Sequence, residues 1–120
     1  MSAQSRKPGP MADQEVAARF VAAVVGSALR VPPNEVRECH RGKAAVAFAR
    51  QVAIYVSHTR LGFDYTTAGC AFGRDRTTAA HAVRTVEGRR EDPVIDAILD
   101  YLERAVETGW LELFQREVRR

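Results

Sequence analysis

The stretch AAVAFARQVAIYVSHTR, residues 44–60, constrains the fold more than any other part of the chain. It contains neither Gly nor Pro, and its apolar side chains surround almost the whole circumference of a helix. A helix that is apolar nearly all round has to be covered by other elements, so this segment reads as the central helix of a bundle. Its polar members include two pairs seven residues apart, Arg50 with Ser57 and Gln51 with His58. Each pair predicts a narrow strip where the helix reaches the surface.

The flanking sequence supplies the elements that would cover it. Residues 1–12 are polar and carry Pro8, Gly9 and Pro10, which predicts a disordered tail. Asp13 is placed to cap a helix running to about Leu29, with Val16, Phe20 and Val24 in one row. That helix should end before VPPNEV, because Pro32 and Pro33 cannot continue it. A turn or short helix over 34–39 leads into the basic loop HRGK, residues 40–43.

After the central helix, Gly62 breaks the chain. A short helix is expected at 66–72, capped by Asp64 or Thr66. Gly73 makes a turn, and a further helix runs from Asp75 to about Glu87, closed by Gly88 and RREDP. Asp92 and Pro93 form a cap and first-position signal for a helix over 93–107. Its apolar stripe is Val94, Ile95, Ile98, Leu99, Leu102 and Val106, with Asp96, Asp100, Glu103 and Glu107 opposite. A last amphipathic segment, 108–120, carries Trp110, Phe114 and Val118. No alternating strand pattern competes. The expected fold is all-α, about six helices with an extra C-terminal helix.

At 120 residues the chain suits one domain with a single core. No apolar run approaches the ~20 residues of a membrane span, and the N-terminus lacks the apolar stretch of a signal peptide. The expected compartment is the cytoplasm. Cys39 and Cys70 have no CxxC spacing and read as reduced, buried thiols. Charge is unevenly placed. Residues 37–90 hold ten Lys and Arg against four Asp and Glu, whereas residues 91–120 hold four against eight. That division suits one face turned to a polyanion and another turned away, although a solubilising mixture would look the same.

The stretch FGRDRTTAAHAV, residues 72–83, sits in the basic half. A short helix, a glycine turn and a second capped helix make a helix-turn-helix. On the second helix Ala79, Ala82, Val83 and Val86 recur at helical spacing and should face inward. Thr77, Ala80, His81 and Arg84 are left facing out, with Arg74, Arg76 and Thr78 at the N-terminal end. Small residues behind a donor-rich first turn suit entry into a major groove. Asp75 would cap the free N–H of residue 77 or 78, and the helix dipole would favour a phosphate. A plain capped helix with solvated arginines is the alternative that geometry leaves open.

Residues 48–82, FARQVAIYVSHTRLGFDYTTAGCAFGRDRTTAAHA, closely resemble the C-terminal DNA-binding domain of the bacterial replication initiator DnaA. In that family an ARQ-A-YL helix precedes an IG--FG-RDHTTV-HA helix-turn-helix of Trp-repressor-like type. The matching residues are Ala49, Arg50, Gln51, Ala53, Tyr55, Gly69, Phe72, Gly73, Arg74, Asp75, Thr77, Thr78, His81 and Ala82. Weaker similarity reaches back to about Asp13 and forward to about Val106. The resemblance implies a domain over residues 13–107 and a C-terminal extension over 108–120.

By that resemblance, Asp75, Arg76, Thr77 and Thr78 occupy positions that read bases, and His81 belongs to the same helix. Arg50 and Gln51 stand where the family contacts DNA from its central helix. Thr66 and Thr67 stand where it touches phosphate. Lys43 and Arg74 join them as expected phosphate contacts. Three departures are visible. Arg76 replaces the family histidine, which shifts preference toward guanine or loosens it toward phosphate. One of two usual turn glycines is missing. The family's minor-groove arginine aligns with Gly42, leaving Arg41 and Lys43 nearby.

Nothing matches GxxxxGK(S/T), and the chain is too short for a nucleotide-binding module as well. The expectation is a stand-alone DnaA-related, nucleoid-associated protein that is not an enzyme and takes no cofactor, metal or small-molecule substrate. Its partner would be double-stranded DNA. The Cys and His residues lack zinc-site spacing. Trp110, Leu111 and Phe114 suit either a helix docked on the core or a surface for a partner. The second role fits an alternative function, binding to the initiator or its AAA+ regulators with little specific DNA affinity.

Overall fold

A computed structural model describes residues 12–38 and 43–119, with side chains described over 14–38 and 43–113. Of the expected disordered tail at 1–12, residues 1–11 lie outside the described residues and Ala12 begins a helix; the HRG of the basic loop and Cys39 also lie outside them. Six helices follow one another: α1 (Ala12–Leu29), α2 (Pro33–Arg37), α3 (Ala44–Arg60), α4 (Tyr65–Ala71), α5 (Arg76–Arg89) and α6 (Pro93–Arg119). No strand occurs among the described residues.

Helix α3 is the centre, touching all five others. Val52, Ala53, Ile54, Tyr55 and Val56 on it are buried, as its apolar circumference requires. Helix α1 meets the core through Ala17, Ala18, Val21, Ala22 and Val25, one residue round from the expected row. These small side chains let α1 approach α3 closely. Phe20 and Val24 lie at the edge of that contact and Val16 is 49% exposed. Asp13 lies inside α1 rather than capping it. Arg30 ends α1 with φ 61°, in the left-handed region, and Val31 N–H closes the turn on the Gly26 carbonyl at 3.0 Å.

The C-terminal segment is not a separate helix. Helix α6 runs 27 residues without a break through Thr108 and Gly109. The expected boundary fails because Gly109 is held by packing. The Phe20 ring lies against its Cα, in space a Cβ would occupy. Trp110 follows, half-buried, with its ring centroid 6.3 Å from that of Phe20. Leu99, Leu102 and Val106 are buried along the same helix, while Val94 is 66% exposed.

Candidate nucleic-acid interface

Helices α4 and α5 begin with the same local device. Asp64 accepts from Thr67 N–H at 2.8 Å, and Asp75 accepts from Thr78 N–H at 2.8 Å. Each satisfies one of the free amides of a helix start. Thr67 and Thr78 also hydrogen-bond these carboxylates through their side chains. The backbone bonds lead in holding both carboxyls below the usual aspartate range, with the side-chain bonds adding to them. Between Asp64 and Thr66, the cap is therefore Asp64.

The two helices meet at Gly69. A Cβ there would come within 2.8 Å of both the Arg74 and Asp75 carbonyls and 3.1 Å of Ala79 Cβ. Arg74 N–H donates to the Gly69 carbonyl at 2.8 Å. Phe72, fully buried, anchors the turn from below, and Gly73 at φ 72° reverses the chain. Ala79, Ala82 and Val86 are buried and Val83 is packed beside them, as the spacing of α5 predicts.

That leaves Arg76, Thr77, Thr78, His81 and Arg84 exposed on α5, with Ala80 half-buried among them. The His81 Nε2 and the Thr85 hydroxyl are 3.4 Å apart. Thr66 is exposed at the start of α4 and Thr67 half-buried. Arg74 is half-buried and donates from Nη1 to the Gly73 carbonyl at 3.1 Å. Lys43 is exposed at the N-cap of α3, and Gln51 is half-buried about two turns further in. The arrangement can offer donors and positive charge to a polyanion from the first turns of two helices.

Arg50 departs from the expected surface strip. Only 5% exposed, it donates from Nε to the Val36 carbonyl at 3.0 Å and from Nη2 to the Glu35 carbonyl at 2.9 Å. Late carbonyls of a short helix lack intrahelical partners, and a guanidinium satisfies two of them with its charge at the negative end of the dipole. Arg50 thus fixes α2 to α3. Its strip partner Ser57 is buried as well. His58 is half-buried, donates from Nδ1 to the Phe63 carbonyl at 2.8 Å and stacks on Tyr65 with centroids 4.5 Å apart.

Cys70, expected to be buried, is exposed on α4. Leu111 is 54% exposed, and the Phe114 side chain lies outside the described residues. Among the described residues no group of three His, Cys, Asp or Glu is placed to hold a metal. No helix there is long and apolar enough to cross a membrane.

A polar network that periodicity missed holds the far end of α5. Tyr55 donates to Glu87 Oε1 at 2.8 Å and accepts from Arg90 Nε at 2.9 Å. Arg90 continues to Asp96 Oδ1 at 2.6 Å, Asp100 Oδ1 at 3.0 Å and Glu103 Oε1 at 2.7 Å. Glu103 is 3% exposed and also accepts from Thr59 and Arg60. Burial pushes the Tyr55 phenol up to about 12, although the Arg90 bond pulls the other way. Arg89 adds a cation–π contact, 4.8 Å above Phe48. This network ties the C-terminal end of α5 to α3 and α6.

Residues 18–86 match the family model described as the bacterial DnaA protein helix-turn-helix. A crystal structure described as a DNA replication initiation factor shares the fold, with a TM-score of 0.70 at 22% identity. That similarity covers 80% of this chain but 30% of the other, so the chain spans less than a third of that structure's length. No curated protein matches the chain. The family model covers more than half of the 120 residues, including α4, the glycine turn and α5 as far as Val86. The chain belongs to the bacterial DnaA helix-turn-helix family.

Proposed function

We propose that the protein binds double-stranded DNA sequence-specifically through α5 and thereby regulates replication initiation or transcription. One observation carries the reading: the Asp75-capped first turn of α5 presents exposed Arg76, Thr77 and Thr78 in a DnaA-family helix-turn-helix. In this reading Lys43, Thr66, Thr67 and Arg74 hold phosphates and fix register, and Gln51 approaches the same duplex from α3. Arg76 reads guanine through O6 and N7, and the threonine methyls meet thymine. Asp75 acts by holding the turn, and Arg50 by holding α2.

Selection from a randomised duplex library with the purified protein tests this directly. The native protein should enrich one motif, and Arg76→Ala should flatten it at one base pair, at a cost of about 1–3 kcal/mol. Indistinguishable enrichment by both proteins would remove Arg76 from the readout. A second reading, a regulator acting through protein contacts with DnaA or its AAA+ regulators, is favoured by exposed Val94, Tyr101 and Leu111 on α6. A salt titration separates the two. Phosphate contacts give a log–log slope near −0.9 each, whereas the second reading predicts no significant duplex affinity at physiological salt.

A further inference from the structure

The large apolar side chains left exposed among the described residues all lie on α1 and α6, away from the helix-turn-helix. On α6, Tyr101, Arg104, Ala105, Thr108, Leu111 and Glu112 recur at intervals of three and four and so share one face. That face points away from Leu99, Leu102 and Val106, which are buried. Tyr101 is 63% and Leu111 54% exposed, and Arg104, Thr108 and Glu112 are exposed with them. Ala105 and Tyr101 border a groove of about 520 Å³ between α6 and α1, whose other wall includes Phe20, Val24 and Ala28.

We propose that this face of α6 binds the same face of a second copy of the chain, antiparallel, about a two-fold axis at Thr108. A two-fold contact has to be self-complementary. Arg104 and Glu112 lie four residues to either side of Thr108. In an antiparallel pair, residues equidistant from the axis come to the same height, so Arg104 of one copy meets Glu112 of the other, twice. A parallel pair would set Arg104 against Arg104. Within one chain the two residues are separated by about 12 Å of helix rise and cannot pair with each other. The α6 carboxylates that form ion pairs among the described residues do so with Arg60 and Arg90, which leaves Arg104 available. In the same register Leu111 comes opposite Ala105, whose methyl leaves room beside the groove.

The pairing does not depend on the DNA reading. Helix α6 packs on α1 and α3, whereas α5 packs on α3 and α4, so the outward face of α5 stays uncovered.

Sedimentation equilibrium of the full chain without DNA tests the pairing. One chain has a mass of 13.3 kDa, and the native protein should approach twice that. Arg104→Glu and Glu112→Arg alone should each raise the dimer dissociation constant about tenfold or more. The double exchange should restore pairing close to the native level. All four proteins should show equal helix content by circular dichroism, since both positions are exposed. A one-chain mass at concentrations up to about 1 mM would overturn the proposal. So would a dimer indifferent to both reversals, a double exchange that fails to restore it, or a larger assembly.

Discussion

Arg90 Nη2 donates to Glu103 Oε1 across 2.7 Å, joining the residue that ends α5 to a carboxylate buried on α6. Glu103 also receives Thr59 and Arg60, so three elements converge on one side chain. Removing a carboxylate from such a cluster leaves desolvated donors and a partly buried guanidinium without their acceptor. Glu103→Ala should therefore destabilise the fold by about 3 kcal/mol, with Glu103→Gln in between. Urea unfolding checks this, and a change within about 0.5 kcal/mol would mean the cluster is solvated like an ordinary surface network.

The two hydrogen bonds from Arg50 to the end of α2 make a different prediction from a phosphate contact at the same position. Arg50→Lys keeps the charge but loses the fork that reaches two carbonyls at once. Stability should fall by about 1–3 kcal/mol, while the salt slope of duplex binding stays unchanged once the variant is folded. For the charge-removing Arg50→Gln, a slope shallower by about one contact's worth with native stability would place Arg50 on DNA instead.

The helix-turn-helix was readable from sequence because its signals are local. An Asp three residues before a Thr at both helix starts, a glycine turn and an apolar row at helical spacing each lie within a few turns of chain. The burial of Arg50 was not readable, since its acceptors are backbone carbonyls fourteen and fifteen residues away. Backbone oxygens carry no residue signature. Glu103 was hidden for a related reason: periodicity groups it with Asp96, Asp100 and Glu107, and only the placement of Arg90 and Thr59 distinguishes it. The expected division at 107/108 does not interrupt α6, although propensity disfavours the glycine at 109 in a helix. The ring of Phe20, nearly ninety residues earlier, decides otherwise.

Acid should weaken the protein through three carboxylates. Hydrogen bonds from Arg37, reinforced by its charge, hold the Glu15 carboxyl down to about 2, from an ordinary value of 4.5. The capping bonds of Thr67 and Thr78 lower Asp64 and Asp75 in the same sense. A folded-state pKa below the unfolded one means the unfolded chain binds protons first as pH falls. The Glu15 contribution is present in full above 4.5 and is lost as pH drops toward 2, and those of Asp64 and Asp75 are lost in the same direction as pH falls. The urea midpoint should decline over that window, and more gently for Glu15→Gln. A parallel decline in both proteins would show that the Glu15–Arg37 pair contributes nothing to it. Added salt should also soften the Glu15 part, since that pair is exposed.

Gly109→Ala gives a test in which two principles predict opposite signs. Inside a helix, alanine is favoured over glycine by about 1 kcal/mol, so a free α6 would gain stability. In the folded chain the new Cβ would collide with the Phe20 ring, which itself packs beside Trp110. Overpacking of that kind costs about 1–3 kcal/mol. The contact should outweigh propensity, because the ring atoms lie against the glycine Cα on the packed side of the helix. Gly109→Ala should lower the thermal midpoint, and adding Phe20→Leu should recover part of the loss by removing the ring. If the single substitution raises the midpoint, α6 is not seated on Phe20. The continuity of the helix through Gly109 would then come from local propensity alone.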